Sequence, residues 1–466
     1  MKKKMKKSIV QMGVIYVALF AIVISYLSYF VIVKSKNIVI HTHNRRMDPI
    51  ENEVVRGDIL SGDGQIIATT ITSEEQSSRQ YPQGRTYAHA VGYTQKGKTG
   101  IEALANVELL RPHYTLESIF RRTFEGDKFK GRDVVLTLDS QLQKAAENAL
   151  GNQRGAVVMI ESSTGKIKAL VSKPDFDPNT VSDNWDQLIV DEVNTPLVNR
   201  ALSGLYPPGS IFKIVTAQAF LNIKGSRAEL AYTCKGHVTI DDHTIHCFNQ
   251  NVHGEEDLAD AFRDSCNTYF INMGQQVGAD KLQQVGEQLL FNKKLPISLE
   301  HSKSQLLLNQ EAPEVELGAT YIGQGKTLVT PIHMAMLAAS IGNEGILMKP
   351  YIIDYSKDKK GRVKTKNLPQ YMAQMMPPED AQRLEKMMVQ VVESGTGQRA
   401  RVSGMYSGGK TGTAQNETSR DHSWFIGFAG NDIPEISMAI IIENAGKDAS
   451  ASTIAHKVIE QYKNLQ

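Results

Sequence analysis

A chain of 466 residues exceeds what one ordinary core organises, so two or three domains are expected. Its composition, 41% hydrophobic and 22% charged, is that of a folded protein, and its formal net charge is only +2. Lysines 2, 3, 4, 6 and 7 supply that excess; the remainder is slightly acidic, which argues against a nucleic-acid binder, and no zinc-type Cys/His spacing or internal repeat is visible.

From Ser8 to Val33 no side chain is charged, and the run is rich in Ile, Val, Leu and aromatics. Its length exceeds the roughly 20 residues that a helix needs to cross a bilayer. The preceding lysines predict a cytoplasmic tail over 1–7, an uncleaved anchor over 8–33, and the rest outside the cytoplasm. The cell membrane is therefore the first partner expected. Arg56-Gly57-Asp58-Ile59-Leu60 and Gly62-Asp63-Gly64-Gln65-Ile66-Ile67-Ala68 read as two short strands around a Gly-rich turn.

Residues 101–122 read as helix and then loop, and Asp133 to Leu138 as a strand. Thr137-Leu138-Asp139-Ser140 caps a helix that runs to Leu150. Gly155 to Ile160 and Lys166 to Ser172 form a hairpin about Ser163-Thr164-Gly165. Residues 200–350 are mainly helical in pattern; strands return near 407–415, 422–430 and 436–444, and 451–463 reads as a closing helix. This order predicts an α/β (α+β) domain, one sheet flanked by helices and assembled from both ends, with the main boundary near 140. The expected division is 34–140 and 141–466.

Tyr206-Pro207-Pro208-Gly209-Ser210-Ile211-Phe212-Lys213 places Ser210 in the first turn of a helix, where free N–H groups favour developing negative charge. Lys213, three residues on, shares its face, and a desolvated lysine can take a serine proton. The same spacing at Ser163/Lys166 and Ser407/Lys410 falls on a hairpin turn and a strand, so spacing alone does not choose. Ser265-Cys266-Asn267 enters a helix after Asp264; taken alone it reads first as a helix cap, with a hydroxyl relay beside an amide that holds a carbonyl as the alternative. Gly408-Gly409-Lys410-Thr411-Gly412-Thr413-Ala414 puts small residues in a strand, beside which a peptide could add, Lys410 and Thr411 taking its carboxylate. Gly92 to Thr99 fits the phosphate-loop pattern letter for letter, but lacks a buried strand before it and a magnesium-holding Asp after it. Cys234 and Cys247 could pair in an oxidising compartment, leaving Cys266; three reduced thiols are the equal alternative.

The ordered set Ser210-x-x-Lys213, Ser265-x-Asn267, Lys410-Thr411-Gly412 resembles the penicillin-binding proteins and serine β-lactamases. The tail and anchor, Arg56-Gly57-Asp58-Ile59, Asp63-Gly64, Gly100-Ile101-Glu102, Asn199-Arg200-Ala201, Gly323-Gln324-Gly325, Thr330-Pro331 and Gly395-Thr396-Gly397 are similar to the class B, monofunctional transpeptidases. The resemblance implies an antiparallel sheet flanked by helices, an all-helical subdomain and a β-rich N-terminal pedestal. It implies no cofactor and no metal.

As implied roles, Ser210 attacks the D-Ala-D-Ala end of a stem peptide and Lys213 is its base. Ser265 with Lys410 passes the proton to the leaving amine, and Asn267 holds the amide. Lys410 and Thr411, with Gly412 and Thr413 beside them, bind the substrate's end, and the N–H groups of Ser210 and Thr413 form an oxyanion hole. β-Lactams would acylate Ser210. Cys266 departs from the Asp found at that place in class A β-lactamases, and Gln305 to Asn309 supplies no deacylating Glu. An amine acceptor is therefore favoured over water, with a D,D-carboxypeptidase, a β-lactamase or a non-enzymatic β-lactam receptor as alternatives. Without a glycan-polymerising domain, a multi-span glycosyltransferase is the expected partner.

Overall fold

The computed structural model describes residues 2–30, 53–73, 77–112, 114, 120, 122–124, 128–308, 311–415, 420–446 and 449–466. Lys2–Tyr29 is one helix, and its Gln11–Tyr29 portion is apolar and long enough to cross a membrane. None of that portion is buried against the protein, as expected of a helix whose solvent is not the protein core. The end of the predicted anchor, 31–33, and part of the stretch 101–122, read as helix and then loop, lie outside the described residues.

The second region is built on a six-stranded sheet in the order Val363–Lys366, Ile353–Lys357, Asp133–Leu136, Ile59–Leu60, Ile66–Thr72, Ser77–Gln80. The predicted pair around the Gly-rich turn is there, with Ile59 opposite Ala68. Two of its six strands arrive from beyond residue 350. Ile353–Lys357 pairs antiparallel with Asp133–Leu136, and Val363–Lys366, fully exposed and rich in lysine, closes that edge. The exposed strand lacks apolar alternation, which is why its pattern carries no strand signal.

The third region holds a five-stranded antiparallel sheet: Tyr406–Ala414, His422–Gly430, Ile436–Ile442, Gly155–Glu161, Ile167–Lys173. The first three strands come from the end of the chain and the last two from its middle, as the hairpin–helices–strands order predicts. Both faces are covered, so the strands read as nearly continuous apolar runs, and every residue of Ile436–Ile442 is buried. Ser140–Leu150, capped by Asp139, and Ala451–Asn464 pack on one face. The wholly buried Pro331–Ile341, its N-cap Thr330 and first residue Pro331, packs on the other.

The block over 200–350 is mainly helical, yet it is interrupted. Tyr232–Cys234 pairs with Gly254–Glu256, and His237–Ile240 with His243–His246. These short, mostly exposed strands bury too little apolar surface to leave a period-2 signal. Pro378–Glu393, whose first turn carries Glu379 and Asp380, is a further helix that lies behind Tyr406–Ala414.

Candidate active site

Gly209–Phe212 is a short 3-10 turn that runs into the helix Lys213–Lys224. In 3-10 geometry residues i and i+3 eclipse, so Ser210 and Lys213 project to the same side. The turn is fixed from all directions. Gly209 donates its N–H to the Gly323 carbonyl at 2.8 Å, Trp424 Nε1 donates to the Pro207 carbonyl at 3.0 Å, and Tyr206 exchanges main-chain bonds with Val329. Tyr206 also donates its hydroxyl to Glu443 Oε1 at 2.7 Å, and Arg200 and Arg154 hold that carboxylate.

Gly209 has φ +55°, and a Cβ there would lie 2.4 Å from the Thr413 carbonyl oxygen. Only glycine lets the Ser210 turn sit this close to the Tyr406–Ala414 strand. The Gly408 position answers a different need. A Cβ there would meet the Phe428 ring and the backbone of Pro378–Glu393, so its small size admits the protein's own helix rather than a substrate strand.

Lys213 is fully buried at the start of its helix. Its Nζ donates to Asn267 Oδ1 at 2.7 Å, to the Ser265 carbonyl at 2.6 Å and to Ser265 Oγ at 3.2 Å. Lys410, also fully buried, reaches the same Ser265 Oγ at 2.9 Å and the Thr411 carbonyl at 3.3 Å. Lys410 stands opposite Ile426 in the sheet, on the face that packs the helical block. Ser265 is held in the left-handed region at φ 59°, a conformation that costs a serine about 1–2 kcal/mol. Its carbonyl bond to Lys213 helps to keep it there.

Among the described residues no carboxylate hydrogen-bonds to either lysine; aromatic faces take that place. Lys213 Nζ lies 5.6 Å from the Phe270 ring and Lys410 Nζ 5.6 Å from that of Phe262. Asp264, next to Ser265, is engaged by Arg263 at 2.7 Å. Burial therefore dominates and pulls Lys213 from its ordinary 10.5 down to about 8. Lys410 is pulled well below its ordinary value, by burial first and then by the charge of Lys213.

The arrangement brings together two buried lysines held below the ordinary lysine range and a hydroxyl bridging both amines, from three segments distant in sequence. Of the sequence-predicted residues, Lys213, Ser265, Asn267 and Lys410 share one hydrogen-bonded cluster. Ser210 stands on the turn that abuts Thr413, and Gln324 reaches the Thr413 carbonyl at 3.5 Å. Thr411, half-buried, has its hydroxyl 2.7 Å from that of Thr396. Ser163 and Ser407, the other serines with a lysine three residues on, lie elsewhere: Ser163 on its hairpin turn, Ser407 buried in its strand.

A family model described as the penicillin binding protein transpeptidase domain matches residues 155–461. This chain belongs to that family. A second model, the penicillin binding protein A dimerisation domain, matches residues 56–134 of the transpeptidase. Peptidoglycan D,D-transpeptidase PbpA of Mycolicibacterium smegmatis is 32% identical over 450 residues, 87% of this chain and 89% of its own. Penicillin-binding protein A from M. tuberculosis, solved as an imipenem acyl-enzyme complex, superposes with a TM-score of 0.82 at 30% identity, covering 89% of this chain and 99% of that one. The D,D-transpeptidase domain of a peptidoglycan glycosyltransferase from Eggerthella lenta gives 0.80 at 31% identity, with 89% and 99% covered. The transpeptidase is thus a class B enzyme, a serine acyl transferase with the penicillin-binding fold.

Residues quoted for the family resemblance acquire physical reasons. Arg56 and Glu102 form a buried ion pair at 2.6 Å, and Asp63 accepts from the Ser140 amide at 3.1 Å. The Asn199 side chain caps the short helix that carries Arg200. Sequence reasoning gave no role to Tyr206 or Glu443, which brace the Ser210 turn from 237 residues apart. The phosphate-loop pattern has the wrong context: Gly92 ends a single-turn helix, not a strand. Cys234, Cys247 and Cys266 are free, buried thiols.

Proposed function

We propose that this transpeptidase cross-links peptidoglycan through an acyl-enzyme on Ser210, within a catalytic domain over 141–466 carried on a pedestal over 34–140. Neutral Lys213 takes the Ser210 proton as the hydroxyl attacks the carbonyl between the two terminal D-alanines of a stem peptide. The oxyanion that forms is held by the N–H groups of Ser210 and Thr413, a stabilisation worth ~2.7–4 kcal/mol per donor in comparable sites. Ser265, bridged to Lys410, hands a proton to the leaving D-alanine amine. Asn267 holds the substrate amide, and Lys410, Thr411 and Gly412 receive the terminal carboxylate. An amine from a neighbouring stem then accepts the acyl group and frees Ser210. β-Lactams acylate Ser210 in the same way, as imipenem does the M. tuberculosis relative.

The observation that carries this reading is the pair of buried lysines converging on Ser265 Oγ beside the nucleophile's turn. It gives one route for removing a proton and another for returning it. The stretch Gln305 to Asn309 carries no glutamate to drive deacylation by water, which favours an amine as acceptor. The N-terminal apolar helix serves as a single-pass anchor with its lysine-rich end in the cytoplasm, and a multi-span glycosyltransferase supplies the glycan strands.

The test is labelling of the full chain with fluorescent penicillin. Wild type is expected to label covalently and Ser210→Ala not at all; label on the variant would overturn the nucleophile. Given lipid-linked substrate and a glycan polymerase, wild type should produce stem-peptide dimers. Trimmed stems without dimers would move the reaction to a carboxypeptidase.

A further inference from the structure

The N-terminal sheet has one end at which the chain arrives from its apolar helix, and two distant segments build it. Val54–Val55, the first strand after that helix, pairs in parallel with Phe129–Lys130. Asp133, just beyond, stands opposite Lys357, so the turn between Ile353–Lys357 and Val363–Lys366 lies at the same end. The carboxylates gathered here are already matched. Glu108 is held by Arg132 at 2.9 Å, Asp358 by Arg362 at 2.9 Å, and Asp133 and Asp58 share Lys359 at 2.8 and 3.5 Å. Lys128, Lys130, Lys357 and Lys360 are left over: among the described residues none of them meets a carboxylate.

Large aromatic side chains stand in water beside these lysines. Tyr114, Phe120 and Phe124 are 64%, 57% and 73% exposed. Tyr114 meets the Phe129 ring edge-on at 5.1 Å, and the rings of Phe120 and Phe124 have centroids 4.5 Å apart. Arg122 lies 4.9 Å from the Phe129 ring and pairs with Glu53 at 3.4 Å, which ties the aromatics to the strand that follows the apolar helix. Exposed rings of this size, gathered at one end, mark a contact surface. Rings and lysines together are what the headgroup layer of a bilayer favours, the rings at its apolar edge and the ammonium groups on its phosphates.

We propose that this end of the N-terminal sheet rests on the outer face of the bilayer. Lys128, Lys130, Lys357 and Lys360 meet the phosphates of anionic lipids, and Tyr114, Phe120 and Phe124 enter the headgroup layer. The proposal rests on the reading of the N-terminal helix as an anchor. That helix brings a bilayer to this end of the fold first, at a high local concentration, which favours lipid over an acidic protein surface as the occupant. The contact holds the pedestal at a second point, so the height and angle of the catalytic domain above the membrane do not depend on the anchor alone. Lys357 and Lys360 come from the catalytic domain's own stretch of chain, so that domain is tied to the membrane directly and not only through the pedestal.

The test uses the full chain in nanodiscs and reads the acetylation rate of each lysine by mass spectrometry. In discs of phosphatidylglycerol and phosphatidylcholine in equal parts, Lys128, Lys130, Lys357 and Lys360 should react severalfold more slowly than in discs of phosphatidylcholine alone. Exposed Lys224 and Lys293 should react alike in both. About 1 M salt, where the screening length is about 3 Å, should restore the four rates while the chain stays in the disc. Phe120→Ser combined with Phe124→Ser should lose most of the shielding and still label with penicillin. If that variant fails to fold, wild type in the two kinds of disc decides alone. Equal rates in both discs would overturn the proposal, and so would shielding that appears only when a glycan polymerase is added, which would assign the surface to a protein. A chain that salt releases from the disc would refute the anchor instead. Sedimentation of that chain with vesicles of the same two lipid compositions then tests the patch by itself: binding confined to the anionic vesicles supports it, and no binding overturns it.

Discussion

In the N-terminal sheet region, Arg56 and Arg79 both turn their guanidinium groups onto the fully buried Glu102, at 2.6 and 2.7 Å. In the candidate active site, Lys213 and Lys410, equally buried, converge on a neutral hydroxyl instead. Burial by itself pushes the Glu102 carboxyl up, but the two guanidinium charges and their hydrogen bonds outweigh it and hold it below the usual carboxylate range. Burial pulls both lysines down, and no bonded carboxylate opposes it. One cluster gives its buried carboxylate two cationic partners and so fixes structure; the other gives its two cations no bonded carboxylate, and burial holds both lysines below their ordinary range. Buried charge therefore marks an active site only where its compensation is incomplete.

The largest effect that could break this contrast is expected from Lys213→Met. Removing the proposed base should slow penicillin acylation by about 10²–10⁴, while stability changes little, because relief of a buried cation that no carboxylate pairs offsets the loss of its bonds to Ser265 and Asn267. A large fall in melting temperature would mean that Lys213 is structural. Glu102→Gln should do the reverse. It leaves two buried guanidinium groups underpaired and should destabilise by about 3–5 kcal/mol, with the acylation rate of the folded fraction unchanged. A loss below about 1 kcal/mol would place that network among weak surface pairs.

A smaller effect separates the clusters by pH. With Lys213 pulled to about 8, only its neutral minority works at lower pH, so acylation should climb about tenfold per pH unit and level off above about 8. The second-order rate of penicillin labelling measures this, and a flat profile would remove Lys213 as the base. Glu102 runs the other way in stability: its folded pKa is depressed, so its contribution is present above the unfolded carboxyl range and is lost as pH falls through it. Thr396→Val should have the mildest outcome. Losing the hydroxyl that faces Thr411 at 2.7 Å should cost about 0.5–1.5 kcal/mol in acylation by substrates bearing the terminal carboxylate. A stem-peptide mimic lacking that carboxylate should be affected much less; equal losses for both would make Thr396 a packing residue.

Features governed by short-range rules were legible in the sequence. Pro207-Pro208-Gly209 could only be a turn, so Ser210 had to open a helix, and the Gly155–Ser172 hairpin and the closing helix were set by apolar period. The apolar N-terminal run likewise fixed its own helix, since length and hydropathy suffice. Tertiary structure alone decided what those residues can do. Lys410 and Ser265 are 145 residues apart, and the desolvation that tunes both lysines exists only once the sheet and the helical block close on them. The same holds for the two strands from beyond residue 350 that complete the N-terminal sheet, and for the two other thiols and the imidazole that meet around Cys266. Backbone preference acts over a few residues, whereas burial and charge balance are sums over neighbours that the chain order does not display.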